Sequence, residues 1–336
     1  MALSSLSTSQ IAGLPTSSIA GWSTSDVLSL LTSQIAVLGS AQMAAMTLAD
    51  VGVLTTNDAQ ALSTAGIAGL SSAQVNAMQS AAVIALTTAQ LPALTTAALA
   101  GLSTAELTGV TSGTTFTPSM TTAQIDALTS AQVAALSTAQ INGLSTSQVQ
   151  DLLTTQVKAL GSTQIQALGT AQVNALGSNE VAVLSSAQVA ALGTAGANAL
   201  GTAQAQALST AGIAGLSSAQ VTALSSADVL ALTTTQFVAL STAGISAVST
   251  AEAHALSTGD IAALTTQQLA ALTTGDIYAL TTAEIVALTT TDIPALTTNQ
   301  IQALQPVQIA AFTANQIPSL TDTQLGAMST AQFSAL

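Results

Sequence analysis

The chain has no cysteine and no arginine, and a single lysine, histidine, tryptophan and tyrosine among 336 residues. Each scarcity excludes something. Without cysteine there are no disulfides, no thiolate metal sites and no cysteine nucleophile. That composition suits export into an oxidising medium but does not require it. One base, Lys158, stands against fourteen acids, for a formal charge of −13. Phosphate backbones and anionic lipid surfaces are bound by clustered Lys and Arg, so neither nucleic acid nor an acidic membrane surface is expected as a partner. Aromatic residues make up 2% and charged residues 4%. Long hydrophobic runs are missing too, because a Ser/Thr pair interrupts the apolar residues at short intervals and none reaches the roughly 18 needed to cross a bilayer. Membrane insertion is therefore not expected. The start, MALSSLSTSQIAGL, has neither a basic n-region nor a continuous apolar h-region, so no cleavable secretory signal is read in it.

What is present is repetition. Residues 137–168 read STAQINGL STSQVQDL LTTQVKAL GSTQIQAL when cut every eight residues. From Thr121 to Leu336 this register runs through 27 octads. Position 8 is Leu in all but Val248, Phe312 and Met328, and position 5 is always apolar, usually Ile or Val. An earlier array has phrase ends from Leu6 through Leu14, Trp22 and Leu30 to Val110. Between the two lies TSGTTFTPSM, whose ten residues break the register by two. Its Gly113 and Pro118 predict a loop or short extended insert. The domain reading is thus an array over 1–110, an insert over 111–120 and an array over 121–336, about 40 repeats in all.

Positions 1–4 read S/T-x-x-Q/E/D, the capping-box signature that starts a helix. Pro306 at position 2 fits, since proline is favoured at the first helical position. Glycine at position 1, as in Gly161, Gly169, Gly177 and Gly193, is expected to close the preceding helix in a left-handed conformation. Apolar residues at positions 5 and 8 recur with a mean spacing of four, so in one straight helix the stripe would rotate away. A bend in every octad restores a common face. Each helix would then span about seven residues, too short to persist alone, and packing between neighbours must supply the stability. The fold class is all-α, an α-solenoid. Its rival, a β-solenoid of Thr-rich strands, is disfavoured by the abundance of Ala and Leu. Pro92, Pro294 and Pro318 occupy position 6, where each removes a helical amide, and those turns should be distorted. Trp22 and Phe312 at position 8 are expected in the core.

Eleven acids sit at position 4, among them Asp276, Glu284 and Asp292 in consecutive octads. They are the Ca²⁺ candidates, although the site of such an ion needs several converging oxygens. The competing reading makes every one of them an N3 cap that complements the helix dipole, and it is preferred. His254 occupies the variable position 6 and is expected exposed rather than catalytic. Asp151, at the small position 7, has Lys158 seven residues on as a potential ion-pair partner. The many hydroxyls lack an activating base. No enzyme, cofactor or metal is expected.

The phrase L-S/T-T-A-Q-I/V-x-A-L resembles the Ser/Thr/Ala/Gln/Leu-rich arrays of long surface and adhesion-type proteins of Gram-negative bacteria, many of which are exported without a cleavable signal. The resemblance implies structural or adhesive work outside the cell or at its surface. With no polar end octad in SLSTSQIAGL or STAQFSAL, Leu6 and Leu336 are expected to meet in a head-to-tail homopolymer, a filament or surface layer. The alternative is an adhesin or binding module whose Ser/Thr rows meet a glycan, ice or another flat surface, with a Ca²⁺-dependent spacer as a variant of it.

Overall fold

A computed structural model describes residues 3–87, 89–103, 105–106 and 120–336. The chain folds as two compact units, residues 1–168 and 169–336. Among the described residues both are built only of short helices, with no strand. The α-helices run from four residues, as in Thr16–Ile19, to seven, in Gly193–Ala199. The all-α solenoid read from the octads is the architecture observed. The insert over 111–120 lies, apart from Met120, outside the described residues.

One octad shows how the sequence makes the element. In the helix Thr234–Phe237 the Thr233 N-cap is extended, its hydroxyl accepts the Gln236 amide N–H, and the Gln236 side chain accepts the Thr233 N–H. The amides of Phe237 and Val238 then bond the carbonyls of Thr233 and Thr234 at 2.8 and 3.0 Å, and Leu240 closes on Phe237 at 3.1 Å. After that the chain leaves the helix. Position 8 is typically extended, as at Leu136 (φ −62°, ψ 139°), and so is the next position 1, as at Ser137 (φ −70°, ψ 161°). These two residues make the bend that the apolar spacing calls for.

The position-6 prolines act as expected. Ordinarily the position-6 amide donates to position 2, as Ala20 does to Thr16 at 2.9 Å. Proline has no such hydrogen, and at Pro92, Pro294 and Pro318 the helix tightens into the 3₁₀ turns Leu91–Ala93, Ile293–Ala295 and Ile317–Ser319. Pro306 opens the helix Pro306–Ile309.

Glycine at position 1 corrects an expectation. Gly161, Gly169 and Gly177 have φ of −75°, −74° and −72°, and serve as extended N-caps of the following helix. At Gly161 and Gly169 the glutamine at position 4 still accepts the N–H, as Gln164 does from Gly161 at 2.8 Å, so half the box survives without the hydroxyl. Among the described residues only Gly193, at φ +64°, is left-handed.

Within each unit a helix packs on the helix three octads along: Leu48–Gly52 on Ser72–Ala77 in the first, Thr250–His254 on Thr274–Ala279 in the second. Side-chain bonds reach four octads, as described below, so a coil takes between three and four octads. Positions 5 and 8 fill the interior, Ile213 and Leu216 being 0% and 2% exposed. Phe312 is buried as expected, whereas Trp22 is only half-buried. Coils come close at the position-7 glycines Gly69, Gly101 and Gly215. A methyl built on Gly215 would fall 2.7 Å from Ser186 Cα, and one on Gly101 3.0 Å from Ser72 Cα. Both octads carry a small residue at position 4, Gly212 and Ala98, so no long side chain holds the coils apart. Gly215→Ala should therefore destabilise the protein by about 1–3 kcal/mol through overpacking, read as a lower thermal midpoint with helical circular dichroism retained at low temperature.

Candidate functional site

The feature that recurs through both units is the side chain at position 4. As an N3 cap it should lie at the surface, yet Gln236 is 5% exposed, Gln268 5%, Gln300 2% and Gln332 3%. The reason is its far end. While Gln236 Oε1 accepts from Thr233, Nε2 donates to the carbonyls of Ala205 and Leu208, at 3.3 and 2.7 Å. Those are positions 5 and 8 of the octad four repeats earlier. Gln300 does the same with Leu269 and Leu272 at 2.9 and 2.8 Å, and Gln42 in the first unit with Ile11 and Leu14, each at 3.0 Å. The last carbonyls of any helix lack intrahelical partners, so each glutamine caps the start of its own helix and the end of another. Across the register break Gln124 reaches 33 and 30 residues back, to Leu91 and Leu94, where the ordinary reach is 31 and 28. The ordinary spacing is back at Gln148, which donates to the Met120 carbonyl at 2.7 Å.

The acids keep half of this role. Asp276 Oδ2 accepts from the Thr273 amide and hydroxyl at 2.8 and 2.7 Å, and its second oxygen accepts from Thr250 Oγ1 at 3.2 Å. Asp228 repeats this with Ser225 and with Thr202, whose hydroxyl is 2.8 Å away. A carboxylate cannot donate to a carbonyl, so it turns to hydroxyls at position 2, three octads back. Glu284 and Asp292 are buried and accept from the caps Thr281 and Thr289. Among the described residues no group of three or more His, Asp or Glu could hold a metal ion, so Asp276, Glu284 and Asp292 are not brought together as ligands. Asp26 is more open, and the Ser23 hydroxyl and amide hold its carboxyl below the usual carboxylate range. A depressed value of this kind adds stability above the unfolded-state pKa that is lost as pH falls through the folded one.

His254 is exposed at position 6, with Nδ1 2.7 Å from the Ala279 carbonyl. Asn142 and Asn174, at the same position, donate to the carbonyls of Ala167 and Ala199. The contact is one that asparagine makes at the same position in other octads. Asp151 and Asp126 line a shallow surface pocket with Thr122 and Ala123. Leu6 is half-buried and Leu336 is 38% exposed.

The burial of glutamine was the part missed from sequence. A signal for it exists: a capping box accepts Glu as readily as Gln, yet glutamine dominates position 4, which makes sense once its NH₂ has work to do. The ALTTAQ repeat family model matches residues 51–88, 134–162, 152–186, 199–234, 229–266, 237–274 and 269–306. These segments cover more than half of the chain, which belongs to the ALTTAQ repeat family. No curated protein matches it.

Two predictions follow from the glutamine bridge. Gln236→Ala and Gln236→Glu should both lower stability by about 2–3 kcal/mol, because each strands two buried carbonyls worth about 1–1.5 kcal/mol apiece when bonded; urea unfolding followed by circular dichroism measures it. Glu284→Gln should have the opposite sign, gaining about 1–2 kcal/mol by supplying an amide to the octad of Ala253 and Leu256. If the acids were Ca²⁺ ligands, that substitution would instead abolish a calcium-dependent rise in the thermal midpoint.

Proposed function

We propose that this repeat protein does structural, non-catalytic work, self-assembling head to tail into an extracellular filament or cell-surface layer. The observation behind this reading is the polarity of the glutamine bridges. The position-4 glutamine amides point to earlier octads, and the carbonyls they bond are covered by later ones. Any coil that nothing follows therefore offers carbonyls and an apolar row together. A coil of a second copy supplies matching chemistry, and a heterologous contact of that kind propagates unless it closes into a ring. With so few charges, repulsion between copies is weak for the chain's length. The hydroxyl-rich surface and the absence of cysteine suit an extracellular setting.

A second reading rests on positions 1–3, where exposed Ser and Thr recur along each unit and could face a glycan or other flat surface. Light scattering and electron microscopy of the 336-residue chain over a concentration series separate the two. The assembly reading expects concentration-dependent fibres, suppressed by Leu6→Arg or Leu336→Arg with helicity unchanged. A strictly monomeric protein at high concentration would discard it in favour of the binding module.

A further inference from the structure

The octad Gly193–Leu200, GTAGANAL, keeps the buried leucine at position 8 but lacks the cap hydroxyl, the position-4 side chain and the branched residue at position 5. Position 1 is Gly193, which has no hydroxyl, and position 4 is Gly196, which has no acceptor for the position-1 amide. The cap cannot form. The Leu192 carbonyl bonds the Gly196 amide at 3.2 Å instead, and Gly193 takes the left-handed conformation at φ +64°. Position 5 is Ala197, where Ile or Val is usual, and the following octad also has alanine there, at Ala205.

The bridges are missing as well. Gly196 carries no side-chain amide to donate. The residue due to cap this octad's own carbonyls is Asp228, which accepts from Thr202 and Ser225. Gln220 keeps the position-5 half of its bridge, donating to the Val189 carbonyl at 2.8 Å, but the Leu192 oxygen it would meet at position 8 accepts from Gly196, and a long 3.4 Å contact with Gly193 O takes its place. Small side chains let the helices Gly193–Ala199 and Ser218–Ala223 approach closely, so what is lost is buried aliphatic area and side-chain hydrogen bonds.

We propose that residues 193–200 are the yielding coil of the second unit, the place where it opens locally while neighbouring coils stay folded. Local opening free energies differ widely within one protein and are lowest where apolar burial and hydrogen bonding are poorest. A yielding coil lets a solenoid lengthen or bend at a fixed place without unfolding the array. This inference does not depend on whether copies assemble.

Hydrogen exchange with mass-spectrometric readout, on the full chain below any assembling concentration, tests it. Amides of 196–200 should exchange at least about tenfold faster than their counterparts at 220–224. Ala197→Val, which restores the usual aliphatic group, should slow exchange in 193–200 and leave 220–224 unchanged. Equal or slower exchange of 196–200 in the unmodified protein overturns the proposal, whether or not the variant folds.

Discussion

A glutamine side chain that bonds two helix ends at once is the interaction on which the rest of this structure depends. Helices of four to seven residues spend most of their backbone groups at termini, where no intrahelical partner exists. Burying them would cost about 1–3 kcal/mol for each unpaired group. Glutamine has an acceptor and two donors on one planar group. At position 4 the acceptor lies over its own N-cap amide, and the donors meet two carbonyls of a helix four octads away. All three capacities are used, so the group can be buried without an unpaired atom.

The eight-residue phrase follows from that constraint. A longer helix would carry positions 5 and 8 around its axis and away from the interior, and a shorter one would not fit both a cap and an apolar pair. Ser or Thr at position 1 ends the extended stretch, glutamine bridges, the aliphatic residue at position 5 fills the interior, and leucine at position 8 leaves the helix with its carbonyl directed at the next bridge. Departures cluster. In the second unit the slots 32 residues apart at Gln204, Gln236, Gln268, Gln300 and Gln332 hold only glutamine, and each donates to a position-8 carbonyl four octads back, at 2.6 to 2.8 Å. Another such series reads Gly196, Asp228, Asp260, Asp292 and Gln324, and Gln324 donates to the Ile293 and Leu296 carbonyls at 2.7 Å each. One line of bridges is continuous and another is interrupted by glycine and acid before it resumes.

Much of this was legible in the residues. Capping boxes, the bend in each octad, the core at positions 5 and 8 and the distorted turns at Pro92, Pro294 and Pro318 are local, and local rules carry them. What was not legible depends on the coil. The distance between octads in space is set by helix packing, so the burial of Gln236 and its reach to Leu208 do not show in a reading of one repeat at a time. The conformation of Gly161 was misjudged for a related reason: glycine after leucine looks like a helix C-terminus, but here the residue already belongs to the next N-cap, whose geometry is extended.

The acids show how a site can be mistaken for a structural slot, and the reverse. A carboxylate at position 4 can accept from its cap as well as an amide does, so sequence cannot separate Asp276 from Gln268 by capping alone. The difference lies at the far oxygen. Glutamine reaches down to a carbonyl, whereas Asp276 and Asp228 take a hydroxyl from Thr250 and Thr202 of the coil three octads back. The exchange replaces a bond between backbone and side chain by one between two side chains and leaves the deeper carbonyls without an amide. A chain that places most of its acids in this slot accepts weaker coil-to-coil bonding at those octads. It keeps their charge out of the exposed positions, whose neutral surface of serine, threonine and alanine is what each unit presents to anything it meets.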